Sequence, residues 1–474
     1  MSYELTERGM GETIKNKSAL FLMGLIVLTF AYIITKDNPG PRFLLFAMVF
    51  ASGMIYLLSG LFRREVVTYF LIVYLPFSKQ IPGTLGHLIP GLNLTNMLII
   101  LTAAFWFFGK REKEEGSIWT RTPLDLPISL FLLVGVISIC RGLGYGNSYL
   151  GEATLQYYRR WVIPIFLYFQ VFNTIRTREE IKNILILIMM VTTIVALMAI
   201  YDYLESDKRV GGIVDQPNFL AAFFNYYMFL FFAFFLLNFK RFKYWLLLVP
   251  FLICLRGIMV TFSRAGYLAF AVGLYAIACF RSKFSIILLA IATFLVLLHP
   301  AFLPEGIRYR MAQTFQHHQS NPEVVQVSGE SLDESASDRL KVWEGAIVMI
   351  KEHPFFGIGF YLFESKILHY WSGRKPHDAH NTYLSIAAEM GIPALIIFLW
   401  IIWRIFWNTQ KFYRKTHDVF AKGLALGLLG GIFGLLVSNI YGCRLNYPEV
   451  SGYFWILTAL VMRLRILERT FTLE

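Results

Sequence analysis

The sequence predicts an all-α protein: a polytopic bundle of transmembrane helices interrupted by one long polar loop. Three observations carry that expectation. Hydrophobic residues make up 56% and aromatics 17% of the 474 residues, against 16% charged, a balance that a soluble surface does not tolerate. Apolar runs able to cross about 30 Å of hydrocarbon, roughly 20 residues each as helix, recur along almost the whole chain. Basic residues cluster in short segments between those runs, so the formal net charge of +13 points to orientation in a bilayer and contact with anionic lipid, not to nucleic acid.

The chain opens with a polar segment, 1–17, followed by an apolar run over 18–35. That run is too long for a signal-peptide core and has no small-residue cleavage site after it, so a retained first span is expected. A second span covers 42–62 and ends on Arg63 and Arg64. The run 66–77 is short and ends at Pro76, which predicts a kinked or re-entrant segment; a Gly/Pro-rich stretch then leads to 95–108. Beyond a charged loop at 110–123, spans follow at 124–142, 160–172, 184–204, 217–239, 244–262, 264–280 and 284–302. After the long polar stretch, 381–403, 420–441 and 451–461 bring the expected count to about fourteen, with twelve the alternative. Four regions result: N-terminal spans over 1–180, central spans over 181–302, the polar loop over 303–380, and C-terminal spans with a tail over 381–474.

Charge gives the orientation independently of hydropathy. With the N-terminus inside, the predicted inner segments hold 24 Lys and Arg and the short outer connections hold 10, the asymmetry of a positive-inside topology. Both termini are then cytoplasmic and the long loop is outside. Within that loop, Leu340, Trp343, Ile347 and Ile350 recur three or four residues apart, predicting an amphipathic helix over 338–352, with Ser335 and Asp338 spaced as a capping box. Gly357-Ile358-Gly359-Phe360 forces a turn, and 319–336 is aperiodic. Cys140, Cys254, Cys279 and Cys443 lack metal-ligand spacing and read as small buried hydrophobes.

Candidate chemistry gathers on the outer side. His380, in His377-Asp378-Ala379-His380-Asn381, stands at the start of a helix whose N-terminus disfavours an imidazolium, the condition for a general base; a polar interfacial cap is the plainer role. Arg264 sits where one span turns directly into the next, and Arg209 lies on another short turn beside Gly211 and Gly212. Two outer guanidinium groups suit a diphosphate, although an interfacial Arg ordinarily snorkels to headgroups. Arg256 lies inside a span, where an Arg is functional by default or pairs with Asp202 or a carbonyl. Asp333, Glu334 and Asp338 lack the fixed spacing of a cation site, so no metal is expected. No dinucleotide fingerprint, Walker motif or nucleophile elbow occurs, and no cofactor is expected.

Taken together, His380-Asn381 with Gly391 following, Ser263-Arg264-Ala265-Gly266, Arg209 ahead of Pro217-Asn218-Phe219-Leu220-Ala221, and Arg339…Trp343…Ala346…His353-Pro354-Phe355-Phe356-Gly357-Ile358-Gly359 resemble the bacterial O-antigen ligase and O-antigen polymerase superfamily. The resemblance covers about 208–400, and Ala394 stands where a Gly is often found. It implies a metal-independent glycosyltransferase in the bacterial inner membrane with its site on the periplasmic face. The donor would be an undecaprenyl-diphosphate-linked glycan and the acceptor a hydroxyl such as one on lipid A core. In that reading His380, Arg264 and Arg209 are catalytic, and Arg256, Asn218, Arg339, His377 and Asn381 contact substrate. Direct displacement implies inversion. A polymerase of the same superfamily is the alternative, and a lipid-linked oligosaccharide flippase or secondary transporter the alternative from another class, with a mid-membrane site and broken helices.

Overall fold

The computed structural model describes residues 64–79, 94–108, 118–146, 148–299, 334–370 and 378–471, with isolated positions and three short strands between 301 and 332. The spans expected at 18–35 and 42–62, and the residues His377 and Asp333, lie outside the described residues. In chain order the helices are α1 (Arg64–Tyr74), α2 (Leu94–Phe108), α3 (Asp125–Arg141), α4 (Tyr149–Tyr157), α5 (Ile163–Thr174), α6 (Arg178–Ser206), α7 (Pro217–Tyr227), α8 (Phe229–Leu237), α9 (Leu248–Val260), α10 (Arg264–Arg281) and α11 (Lys283–Leu298). Then come β1 (Phe315–Gln316), β2 (Gln326–Val327), β3 (Glu330–Leu332), α12 (Glu334–Glu352), α13 (Phe363–Lys366), α14 (Thr382–Met390), α15 (Ile392–Lys415), α16 (Val419–Ser438) and α17 (Pro448–Phe471). Seven described helices are long and apolar enough to cross a membrane.

The bundle is built around α16, which packs against α7, α8, α10 and α15. Its sequence explains that place. A Cβ at Gly431 would fall on the Tyr226 carbonyl and one at Gly434 on the Asn225 carbonyl, so the α7–α8 backbone lies flush against a glycine-lined face. Helices at the centre are apolar all round and buried; the windows at 217–237 and 448–468 are 78% and 83% buried, whereas 242–260 is 28% buried and presents Leu246, Val249 and Leu252 outward.

Several expectations are corrected. The run 381–403 is not one helix. Gly391, at φ +91°, breaks it into the short α14 and the spanning α15, because Pro393 and the glycine together restart the helix in a new direction. The loop helix begins at Glu334 rather than 338, so Ser335 lies inside it and not at its N-cap. Its buried face is Val342, Ala346 and Met349, and Ile347 is 44% exposed. Gly345 and Ala346 are buried as well, so the contact stripe includes small residues beside Val342 and Met349. Part of 319–336 is regular, since β3 pairs antiparallel with both β1 and β2. Cys140 and Cys279 are exposed, and only Cys254 and Cys443 are buried.

The second half of the loop is stitched to α14 through main-chain atoms. The Ile358 N–H donates to the Ala388 carbonyl at 2.8 Å, Gly359 N–H to Glu389 at 3.1 Å, and Ile392 N–H to Pro354 at 2.7 Å. Gly357 is at φ +65°, and a Cβ there would strike the Glu389 carbonyl. The Gly-x-Gly turn therefore exists to let two backbones touch.

Candidate active site

Arg209 follows the C-terminus of α6 and reaches two other turns. Its Nε donates to the Thr261 carbonyl at 2.7 Å and its terminal nitrogen to Asn218 Oδ1 at 2.9 Å. The same Asn218 oxygen accepts from Ser263 Oγ at 2.7 Å, while Ser263 Oγ caps α10 by accepting from the Gly266 N–H at 3.2 Å. This network explains Ser263-Arg264-Ala265-Gly266: the serine starts the helix, and Arg264 is consequently its first residue, half-buried at the mouth of the Arg209 turn.

Four arginines from separate elements converge here. Burial, and after it the charges of Arg310, Arg339 and Arg264, pull the Arg209 guanidinium down to about 10, still cationic at neutral pH. Such a concentration of like charge stores repulsion that an anion with several oxygens relieves. Arg256 lies on the membrane side: it stacks over Tyr203 at 5.4 Å, and Tyr267 is within electrostatic reach of Arg209, Arg310 and Arg256 together.

His380 approaches from the other side. It stands before the N-cap of α14, in the left-handed region at φ +45°. The cap is Asn381, whose Oδ1 accepts from the Tyr383 and Leu384 N–H groups at 2.9 and 3.1 Å, so its side-chain oxygen is occupied by the helix rather than presented outward. The ring Nδ1 of His380 lies 2.5 Å from Asp378 Oδ1. Burial alone would raise the Asp378 carboxyl, but the hydrogen bond and charge of His380 overcome it and the carboxyl is lowered. The helix end is thus not the only field on the ring, because the carboxylate acts in the opposite sense.

The two sides are joined by α12 and by the turn after α16. Trp343, one turn beyond Arg339, donates its indole N–H to the Ala379 carbonyl at 3.1 Å. Buried Arg444 stacks over Phe219 at 4.5 Å and donates to the Tyr441 carbonyl at 2.9 Å. Burial, then the charge of Arg339, pulls it down to about 10, and its own charge helps lower Asp378. Asn439, fully buried, ties the turn together: its Oδ1 accepts from Thr382 Oγ1 and from the Arg444 and Leu445 N–H groups, and its Nδ2 donates to Tyr226 Oη.

Residues 249–399 match the family model described as O-antigen ligase. The match covers less than half of the chain and supports a similarity to the O-antigen ligase superfamily over those residues. The seven described helices long and apolar enough to cross a membrane, together with that similarity, indicate a multi-pass membrane protein. No curated protein matches the chain. The O-antigen ligase match includes Arg256, Arg264, Arg339, His377, His380 and Asn381; Arg209 and Asn218 precede it, yet they are joined to it by the hydrogen bonds to Thr261 and Ser263.

Sequence reasoning missed Arg310, Arg444, Asn439 and Glu389 as parts of this neighbourhood. Arg308-Tyr309-Arg310 was a visible basic pair, and Arg444 appeared only as an outer charge. Glu389 is 5% exposed on α14, outside the spanning segments; burial pushes its carboxyl up to about 7 against the opposing charge of Arg160. Among the described residues, no group of three His, Cys, Asp or Glu side chains gathers at metal-binding distance.

Proposed function

We propose that the protein is an O-antigen ligase-type glycosyltransferase that moves a glycan from an undecaprenyl-diphosphate carrier to an acceptor hydroxyl, such as one on lipid A core. The reaction would take place at the periplasmic face of the inner membrane, with both termini cytoplasmic. One observation carries the reading: Arg264, Arg310 and Arg339 all lie within electrostatic reach of Arg209, and α12 bridges this cluster to a histidine–carboxylate pair. A polyanion and a proton acceptor are what that arrangement serves.

In the proposed step the acceptor oxygen bonds to the anomeric carbon while the carbon–oxygen bond to the diphosphate breaks, with inversion. His380 takes the hydroxyl proton. The electron pair leaves on the diphosphate, whose charge Arg209, Arg264, Arg310 and Arg339 stabilise more strongly as it develops than in the ground state. Arg209 is pre-set for this: two of its five N–H groups engage Thr261 and Asn218, so the guanidinium plane is fixed before substrate arrives. Arg256 is suited to the membrane end of the carrier.

Reconstitution in nanodiscs with purified lipid-linked glycan tests the reading, with lipid A core and a second lipid-linked glycan as separate acceptors. Transfer to core supports the ligase. Chain lengthening on the second carrier points to the polymerase reading, and movement of the donor between leaflets without any transfer to the transporter reading.

A further inference from the structure

We propose that Asp378 is the positioning residue of His380: the carboxylate holds Nδ1, and Nε2 is the nitrogen that takes the acceptor's proton. The inference rests on the transferase reading and deepens it.

Three features fix the pair. A single oxygen, Asp378 Oδ1, receives both the backbone N–H of His380 at 3.0 Å and the ring Nδ1 at 2.5 Å. The left-handed backbone at His380 costs a non-glycine residue energy and persists only where surroundings impose it. Here Trp343 clamps the Ala379 carbonyl from α12, and the Asn381 cap anchors the next residue on α14. Between two clamped peptides, the ring has little choice but to sit against the carboxylate. Proton bookkeeping follows from the same contact. A proton on Nδ1 bonded to a carboxylate leaves Nε2 as the basic nitrogen, and on accepting a proton there the imidazolium is stabilised by the adjacent negative charge.

The charged groups around Asp378 set how strongly it acts. Arg444, from the turn after α16, favours its ionised form, and Glu389 on α14 is close enough to interact with it unfavourably. Arg444 in turn feels Arg339. The arginine cluster and the histidine are therefore coupled through Asp378 and Arg444.

Asp378→Asn separates geometry from charge. The backbone N–H of His380 orients the amide so that its oxygen still accepts from Nδ1, so the tautomer survives and only the charge is lost. Asp378→Ala removes both. In the reconstituted transfer assay, Asp378→Asn should lower kcat about tenfold and move the acid limb of the rate profile about one unit to lower pH, with KM for the donor unchanged. Asp378→Ala should lower kcat about a hundredfold. Carbethoxylation of His380 by diethyl pyrocarbonate, followed by mass spectrometry across pH, reads the same shift without activity. If His380→Ala is inactive while Asp378→Asn has a normal rate and an unmoved acid limb, the dyad is wrong and the base reading stands. A change in donor KM with an unmoved limb also overturns it, because Asp378 then acts on the arginines. Activity in His380→Ala sinks the base reading itself.

Discussion

Replacing Arg209 by lysine is the sharpest test of the arginine cluster, because it keeps the charge and removes the fork. The guanidinium now bridges the Thr261 carbonyl and Asn218 Oδ1 with separate nitrogens, while the rest of its face is available to an anion. An ammonium is a single point and cannot hold both acceptors while also meeting a phosphate oxygen. At least one charge-assisted hydrogen bond is lost, worth about 2 kcal/mol, or about 30-fold in rate if the loss falls on the transition state. Asn218→Ala leaves the cation in place and removes one anchor, so about fivefold is expected from about 1 kcal/mol. The assay is transfer from purified lipid-linked glycan in nanodiscs, at matched protein content, with kcat and KM measured separately. Because the net charge is conserved in Arg209→Lys, kcat should fall more than KM rises. An Arg209→Lys enzyme within threefold of wild type would show that charge alone suffices and that the pinned guanidinium is irrelevant.

His380→Ala should abolish detectable transfer while donor binding persists, since a general base contributes about 10² to 10⁴ in rate; His377→Ala should keep substantial activity in the same assay. Glu389, raised to about 7 by burial, binds its proton more tightly folded than unfolded. Stability should therefore fall as pH rises from about 4.5 to about 7, by about 3 kcal/mol, and then level off. Glu389→Gln should flatten that dependence in thermal unfolding, and an unchanged slope would remove Glu389 as its source. A single cysteine introduced between 319 and 330, in a background lacking Cys140, Cys254, Cys279 and Cys443, should label with an impermeant thiol reagent in intact spheroplasts; labelling only after lysis would invert the topology. Chelator added to the transfer assay should leave the rate unchanged.

The helical class and most helix positions were legible because hydropathy over 20 residues is a strong signal and lipid allows few alternatives. Where a boundary depended on a single backbone angle, as at Gly391, hydropathy ran straight through it. The amphipathic loop helix is legible from its spacing, but its contact face is not: spacing favours the large apolar residues, whereas Gly345 and Ala346 are buried. Arg209, Arg264 and Arg339 were readable as separate basic positions. Their convergence with Arg310 was not, since it depends on two turns, α12 and a loop residue coming within electrostatic reach of one another. Asp378 was visible beside two histidines, yet nothing in a linear spacing of two residues says that both donors of His380 return to one oxygen. Asn439 was the least legible, an uncharged residue near the end of an apolar run whose side chain has five hydrogen-bonding partners from four places in the chain.

The docking of His353–Gly359 on α14 carries a consequence for sequence drift. Its bonds run between main-chain atoms, from Ile358 to Ala388, Gly359 to Glu389 and Ile392 to Pro354. Side chains on its outer edge, Phe355 at 69% and Phe356 at 52% exposure, contribute nothing to those bonds. A saturation scan should accordingly read as a stencil. Positions 355 and 356 should accept most apolar residues, positions 357 and 391 almost none, and a one-residue insertion anywhere from 354 to 359 should be as damaging as a substitution at the histidine.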